Sequence, residues 1–455
     1  MATGIPRTQS KPTNGQSAGA RPIDDVQLVY EGKRAECEII ATQPAKLALV
    51  RQPLSDNDFG GIISNRLYYG DNLPVLAALM DDAAVRGKVR LIYIDPPYAT
   101  QSVFQSRSQV EAYSDLLVGA HYIEFIRERL FLLRELLAED GSIYVHLDDK
   151  MAFYVKLVMD EVFGRGNFRN WITRKKCNPK NYTRKTFGNV SDYILFYTKS
   201  DRYIWNRPFD AWTPERARKE YQYVEEGTGR RYKRVPIHAP GVRNGETGKI
   251  WRGMSPPPGK HWQYSPHTLD EMDARGEIYW SPNGNPRRKI YLDESSGVPV
   301  QDIWLEFRDA HNQNITVTGY LTEKNSNLLA RIIEASSNPG DLVLDCFAGS
   351  GTTLAVASQL NRDWIGVDNS LEAISTILRR FSHGTERMGD FVSQRLLKDV
   401  DEKVETLPLF AWSEGSNSTA SQTGSVDKNT EFWLYSTKPS VSEIENLLSM
   451  LPYEN

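Results

Sequence analysis

The chain has 455 residues, 40% hydrophobic and 25% charged, with a formal net charge of −3. Its length exceeds one ordinary domain and allows a large buried core. No apolar run approaches the roughly 18 residues that a membrane helix needs, and the three cysteines, Cys37, Cys177 and Cys346, lack metal-site spacing, so free thiols in a reducing cytoplasm are expected.

Residues 1–25 are rich in Ser, Thr, Gly and Pro, have no apolar stretch of the secretory type, and are expected to be a disordered tail. Residues 26–63 hold a short β-like stretch and connectors with no assignable role. A strand at 67–70, a short helix at 73–80 and a strand at Val89–Ile94 follow. The last of these ends in Asp95-Pro96-Pro97-Tyr98. Two prolines remove backbone donors and fix φ, so the strand must break into a rigid extended loop. An acid and an aromatic ring are thereby held at the end of a central strand, where open α/β sheets bind ligands. The carboxylate and nearby carbonyls can accept hydrogen bonds from an amino group, and the Tyr98 ring can stack on a flat heterocycle.

Residues 99–119 are polar and irregular, and are read equally as a lid over the ligand or as plain disorder. An amphipathic helix is expected at 122–137, with Glu124 and Glu128 four apart on its polar side. A strand at 141–146 and a helix at 150–162 come next. His146, near Asp148 and Asp149, is read as strand-end structure rather than as an acid–base group. Between residues 200 and 318 the periodicity degrades into prolines, glycines and aromatics, which suggests an inserted domain of short strands and loops. From residue 169 to 260 there are about 21 Lys and Arg against about 8 Asp and Glu. Trp171, Trp205, Trp212, Trp251, Trp262, Trp280 and Trp304 are interleaved with them; some must be core, yet the mixture suits tracking a polyanion backbone and stacking on bases. Arg230, Arg231, Lys233, Arg234, Arg287, Arg288 and Lys289 are candidates for phosphate or base contact.

A helix at 323–336 and a strand at Leu342–Asp345 lead into Cys346-Phe347-Ala348-Gly349-Ser350-Gly351-Thr352. A helix at 350–360, a strand at 364–367 and Asp368 complete a strand, glycine loop, helix, strand and acid, half of a nucleotide-binding unit. Gly349 and Gly351 permit close approach of a ligand to the backbone, and Asp368 can accept both hydroxyls of a ribose. No lysine follows the loop, so it is not a phosphate-cradling P-loop. A helix at 371–381 follows. Beyond residue 404 the chain is Ser/Thr-rich, a linker, before a short element with Trp433, Leu434 and Ile444 that is expected to dock on the body.

Asp95-Pro96-Pro97-Tyr98 and Phe347-Ala348-Gly349-Ser350-Gly351 together resemble the catalytic and S-adenosylmethionine motifs of amino-group DNA methyltransferases. The catalytic motif comes first, as in the β-class, circularly permuted members. Tyr69-Gly70-Asp71-Asn72 is similar to the segment contacting the cofactor's adenine, and residues 192–199 to a late strand of the family. Thr322-Glu323-Lys324 resembles the element holding the cofactor's methionine end, with Asn325 in place of its usual proline, and Cys346 stands where proline is often found. The resemblance implies an α/β, Rossmann-like, mostly parallel twisted sheet of seven strands, the last antiparallel, with an inserted target-recognition domain. It divides the chain into a first catalytic part at 26–199, recognition at 200–318, a second catalytic part at 319–404, and a linker with terminal element at 405–455.

The resemblance further implies that Asp71, Asn72, Thr322, Lys324, Asp345, Phe347, Ala348, Gly349, Ser350, Gly351, Thr352 and Asp368 bind S-adenosylmethionine. Asp95, Pro96, Pro97 and Tyr98 would act on the flipped base, with no metal and no covalent intermediate. None of the cysteines follows a proline, as the nucleophile of a cytosine-C5 enzyme would. Asp rather than Ser at position 95 is typical of adenine-N6 members. Double-stranded DNA is the expected partner, and a restriction subunit or companion endonuclease and a homodimer fit the family. The competing readings are a cytosine-N4 enzyme, a methyltransferase of RNA or protein amides, and a DNA-binding relative without catalysis.

Overall fold

Strand Val89–Ile94 is buried on both faces, with Leu91, Ile92, Tyr93 and Ile94 each no more than 1% exposed. Such a strand belongs in the middle of a sheet covered on both sides. That is its place in a computed structural model of the chain, which describes residues 26–51, 65–97, 103–105, 111–114, 119–178, 185–308, 316–317, 324–383, 386–387 and 431–437. The strands of this sheet are β1 (Ala48–Arg51), β2 (Arg66–Tyr69), β3 (Val89–Ile94), β4 (Leu137–Leu147), β5 (Phe168–Lys175), β6 (Ser191–Thr198), β7 (Ile303–Trp304), β8 (Leu342–Asp345), β9 (Asp363–Asp368) and β10 (Trp433–Ser436). Their order is β1-β10-β2-β9-β8-β3-β4-β6-β5-β7. The run from β10 to β4 is parallel, and β6 lies antiparallel to both β4 and β5. The expected seven-stranded sheet is therefore the stretch from β2 to β5. Its antiparallel strand is β6, last but one in space, and β10, β1 and β7 extend the two edges.

Helices cover both faces. On one lie α1 (Glu36–Ile40), α2 (Asn72–Met80), α3 (Ala120–Leu136) and α4 (Ala152–Phe163), whose apolar residues share a core with Ile92, Ile94, Val145 and Leu344. On the other are α5 (Ser326–Ser336), α6 (Thr352–Gln359) and α7 (Leu371–His383). Alternate strand residues reach them: Tyr144 shares a hydrogen bond with Ser336, and Trp364 stacks on Phe381. Each face thus buries one parity of each strand. Chain direction diverges between β8, which continues through α6 to β9, and β3, which continues through α3 to β4 on the opposite side. Such a divergence opens a crevice at the carboxyl ends of the two strands.

Among residues 26–51, which had no assigned role, the segment before β1 packs on α3. Tyr30 and Arg34 donate to Glu124 and Glu128, the two acids spaced four apart on that helix, and Ile39 is fully buried. The terminal element docks as a strand, with Tyr435 stacked 5.0 Å from Tyr68; Ile444 lies outside the described residues. Within 99–119, Val103–Gln105 pairs with Glu111–Ser114, and the remainder of the expected lid up to residue 118 lies outside the described residues.

The described part of a second compact unit is Arg207–Gln301. It is shorter than the expected 200–318 at both ends, for physical reasons. The Asn206 amide donates to the Glu334 and Ser337 carbonyls at the end of α5, and Ile303–Trp304 joins β5 as a strand. The second unit holds a four-stranded antiparallel sheet in the order Tyr223–Val224, Arg231–Pro236, Pro286–Tyr291, Ile278–Trp280. Its helices, Pro214–Glu220 and Pro266–Ala274, each begin with a Thr or Ser cap followed by proline. Its core is Ile237, Trp251, Trp262, Leu269, Met272 and Ile278.

Candidate active site

Asp345 ends β8 and organises the glycine loop. Its Oδ1 accepts from the Phe347 amide at 3.0 Å and its Oδ2 from the Thr353 hydroxyl at 2.6 Å. Gly349 and Gly351 follow with φ of 50° and 72°, left-handed values that side chains disfavour. A Cβ at Gly351 would stand 2.8 Å from Ile377 Cγ1. Asp368, at the end of β9, accepts from the Gly349 amide on Oδ2 and the Ser370 amide on Oδ1, both at 2.8 Å. Ser350 and Thr352 are buried and share a 3.0 Å hydrogen bond, Ala348 is buried beside them, and the Phe347 ring meets Phe125. Burial lifts the Asp345 carboxyl, the Thr353 and Phe347 hydrogen bonds pull it back, and the Asp95 and Asp368 charges push it up again, to about 7. Three carboxylates thus converge at the ends of β8, β9 and β3.

Asp71 and Asn72 brace this loop. Asn72 donates to the Cys346 carbonyl at 2.7 Å and accepts from Arg129 at 2.5 Å. Arg129 also donates to Asp71 and to the Phe125 carbonyl and lies 3.5 Å over the Phe125 ring. Asp71 caps α2 through the Leu73 amide. Both ends of the Asn72 side chain are therefore engaged within the protein. Arg129 escaped the sequence reading; its signal was a basic residue among the apolar positions Ile126, Leu130 and Leu133 of α3, all fully buried.

At the end of β3, Asp95 Oδ2 pairs with the Lys324 ammonium at 2.8 Å. Asp95 Oδ1 is buried and has no hydrogen-bond partner among the described residues. Pro96 is buried and Pro97 half-buried; Tyr98 and Thr322 lie outside the described residues. Lys324, expected at the cofactor, lies beside the catalytic motif. Burial works against its charge, but Asp95 outweighs this and raises it. Behind it a polar chain crosses four strands. The Tyr93 hydroxyl meets His146 Nδ1 at 2.7 Å, His146 Nε2 lies 3.0 Å from Asp192 Oδ2, and Arg174 Nε lies 3.2 Å from Asp192 Oδ1. His146 is fully buried there, the structural position expected of it. Burial opposes the Asp192 charge, yet His146 and Arg174 hold its carboxyl well below the usual range.

The second unit carries a basic and aromatic face. The antiparallel register sets Tyr223 and Tyr291 either side of Tyr232, Lys289 opposite Arg234, and Tyr279 opposite Arg287, all on one side of the sheet. The Arg234 guanidinium lies between the Tyr223 and Tyr279 rings at 3.5 and 3.4 Å. Arg230 is held by Asp293 and Glu294, Lys289 by Glu225, Arg231 by the Tyr221 carbonyl and Arg288 by the Tyr264 hydroxyl, while Lys233 lies over the Tyr221 ring. Arg287 is exposed and has no ion-pair partner among the described residues. Some of the tryptophans are core, as expected: Trp251 and Trp262 are buried, and Trp212, Trp251, Trp262 and Trp280 all spend their ring N–H inside the unit, while Trp205 is exposed. Tyrosines line the basic face of the sheet.

Residues 89–379 match the N6/N4 family profile described as DNA methylase. The type II methyltransferase M.EcaI of Enterobacter cloacae is 49% identical over 376 residues, which are 83% of this chain and 82% of that protein. The chain belongs to the N6/N4 DNA methylase family. It is a DNA methyltransferase, and S-adenosylmethionine is its cofactor. The Mod subunit of the type III restriction-modification enzyme StyLTI of Salmonella typhimurium is 28% identical over 66% of this chain and half of its own length. The solved complex of M1.HpyAVI with S-adenosylmethionine covers 69% of this chain and 98% of its own, at 16% identity and a TM-score of 0.39.

The residues present suit this cofactor. Two positive-φ glycines keep the loop backbone bare, a Cβ at Gly351 would clash, and an acid ends the next strand. Asp345 and Asp368 give the loop a negative field that complements a cation. No helix among the described residues is long and apolar enough to cross a membrane, and none of their His, Cys, Asp and Glu residues cluster as a metal site.

Proposed function

We propose that this DNA methylase modifies the N6 amino group of adenine in duplex DNA. The observation carrying the reading is Asp95 Oδ1, a buried acceptor with no hydrogen-bond partner among the described residues, at the mouth of the β3–β8 crevice. A buried acceptor without a donor costs about 1–3 kcal/mol, which a bound amino group would recover. With one amino hydrogen on Asp95 and the other on the Pro96 carbonyl, the nitrogen lone pair leaves ring conjugation and becomes nucleophilic. The bound cofactor supplies an electrophilic methyl group on a sulfonium. The glycine loop and Asp368 fix the cofactor's position, and this positioning can contribute roughly 7–11 kcal/mol. Tyr98 stacks on the flipped base, and the Arg234–Arg287 face meets the DNA backbone. An acid at position 95 favours adenine over cytosine. The type II character of the Enterobacter cloacae relative supports a companion endonuclease.

The test is Asp95→Ala. Calorimetry should find cofactor affinity within about twofold of the unsubstituted protein, since Asp95 faces the base. Transfer of labelled methyl groups to duplex DNA should vanish. Transfer that persists at the original rate would remove Asp95 from the reaction.

A further inference from the structure

Lys324 stands 229 positions from Asp95 in sequence, yet its ammonium lies 2.8 Å from Asp95 Oδ2. The pair is largely shielded from water, with 12% of the Lys324 side chain and 16% of the Asp95 side chain exposed. An aspartate whose χ2 is unrestrained can present either oxygen, or swing both away from an incoming amine. Here Lys324 takes one oxygen, and the other is buried with no hydrogen-bond partner among the described residues. Lys324 also lies in the field of Asp192, Arg174 and Tyr93, members of the polar chain through β3, β4, β6 and β5. Tyr93 sits two residues before Asp95 on the same strand, so the strand and the ammonium that frame the carboxylate share one buried support.

From this geometry we infer that Lys324 is a positioning residue for the methyl-transfer reaction, clamping Asp95 Oδ2 so that Oδ1 faces the amino group of the target base. The inference rests on the amino-methyltransferase reading above and assigns Lys324 away from the cofactor's methionine end. Oriented acceptors matter because a displacement of about 1 Å in a reacting geometry can cost 10²-fold in rate. Lysine suits the task as a compact charge on a flexible stem with several donors, and a buried carboxylate keeps it protonated. An apolar residue at position 324 would remove the ammonium that Asp95 Oδ2 pairs with before the base arrives.

The experiment compares Lys324→Met, Lys324→Gln and Lys324→Arg with the unsubstituted protein. Cofactor affinity is read by calorimetry, thermal melting by fluorescence, and kcat with labelled methyl groups and duplex DNA. Expected for Met and Gln is a fall in kcat of about 10²-fold with cofactor Kd within about twofold, and Arg should recover part of the rate. If Met is too unstable to measure, Gln, nearly isosteric along its stem, carries the comparison. A rise in cofactor Kd with kcat preserved would overturn the inference and return Lys324 to the cofactor. Equal loss in all three variants in proportion to their melting temperatures would also overturn it, leaving a structural role. Failure of the unsubstituted protein to methylate any DNA would instead strike the amino-methyltransferase reading itself.

Discussion

Asp345 titrates at about 7 because burial, with Asp95 and Asp368 nearby, outweighs its two hydrogen bonds. Its folded pKa lies above the ordinary 3.8, so its contribution to stability is full below that value and lost as pH rises through about 7. Asparagine keeps the acceptor for the Phe347 amide and stays neutral. Asp345→Asn should therefore gain in melting temperature relative to the unsubstituted protein between pH 5 and pH 8; a difference constant with pH would refute the titration. Asp368 holds the Gly349 and Ser370 amides, and its proposed second role is to accept ribose hydroxyls. Asp368→Ala should weaken cofactor binding by about 1–3 kcal/mol per lost partner. An unchanged Kd in calorimetric titration would take it out of the site.

The glycine loop and its brace form the element proposed to hold the cofactor. Gly340 and Gly351 both hold positive φ, at 84° and 72°, but only Gly351 has a neighbour, Ile377, where a Cβ would stand. Gly340→Ala should cost the left-handed strain alone, about 1–2 kcal/mol. Gly351→Ala should cost more and also weaken cofactor binding. Equal melting shifts with equal cofactor Kd would show the loop to be indifferent to that contact. Arg129→Met removes the link from Asn72 and Asp71 to α3, and should lower cofactor affinity through those two residues. Much of this element was legible in the sequence. The Leu342–Asp345 strand, the glycine pair and Asp368 announce themselves by local periodicity and backbone need. The brace was hidden because the Asn72 to Cys346 bond joins positions 274 apart, and nothing local encodes a partner that distant. Strand β10 has only four residues and lies far from the rest of the sheet in sequence, so its pairing with β2 could be guessed only as docking. Which tryptophans are core was not legible for a related reason: a large aromatic beside basic residues looks the same whether it fills a small unit's core, as Trp251 and Trp262 do, or faces a ligand.

For the whole molecule, the net charge of −3 conceals a cationic unit, and salt dependence of DNA binding reads how that charge is used. Each phosphate neutralised contributes about −0.9 to the slope of log affinity against log salt. Arg287→Ala should flatten the slope by about one such increment, while Arg230→Ala should change it much less because Asp293 and Glu294 already hold that side chain. Equal flattening by both would mean that the Arg230 pairs open on DNA. The catalytic half of the account rests on a carboxylate at position 95 selecting an exocyclic amine, and the modified base reports on it most directly. DNA methylated by the purified protein, digested to nucleosides and resolved by mass spectrometry, should yield N6-methyladenine. N4-methylcytosine as the sole product would contradict the assignment of the base, and 5-methylcytosine would contradict the mechanism.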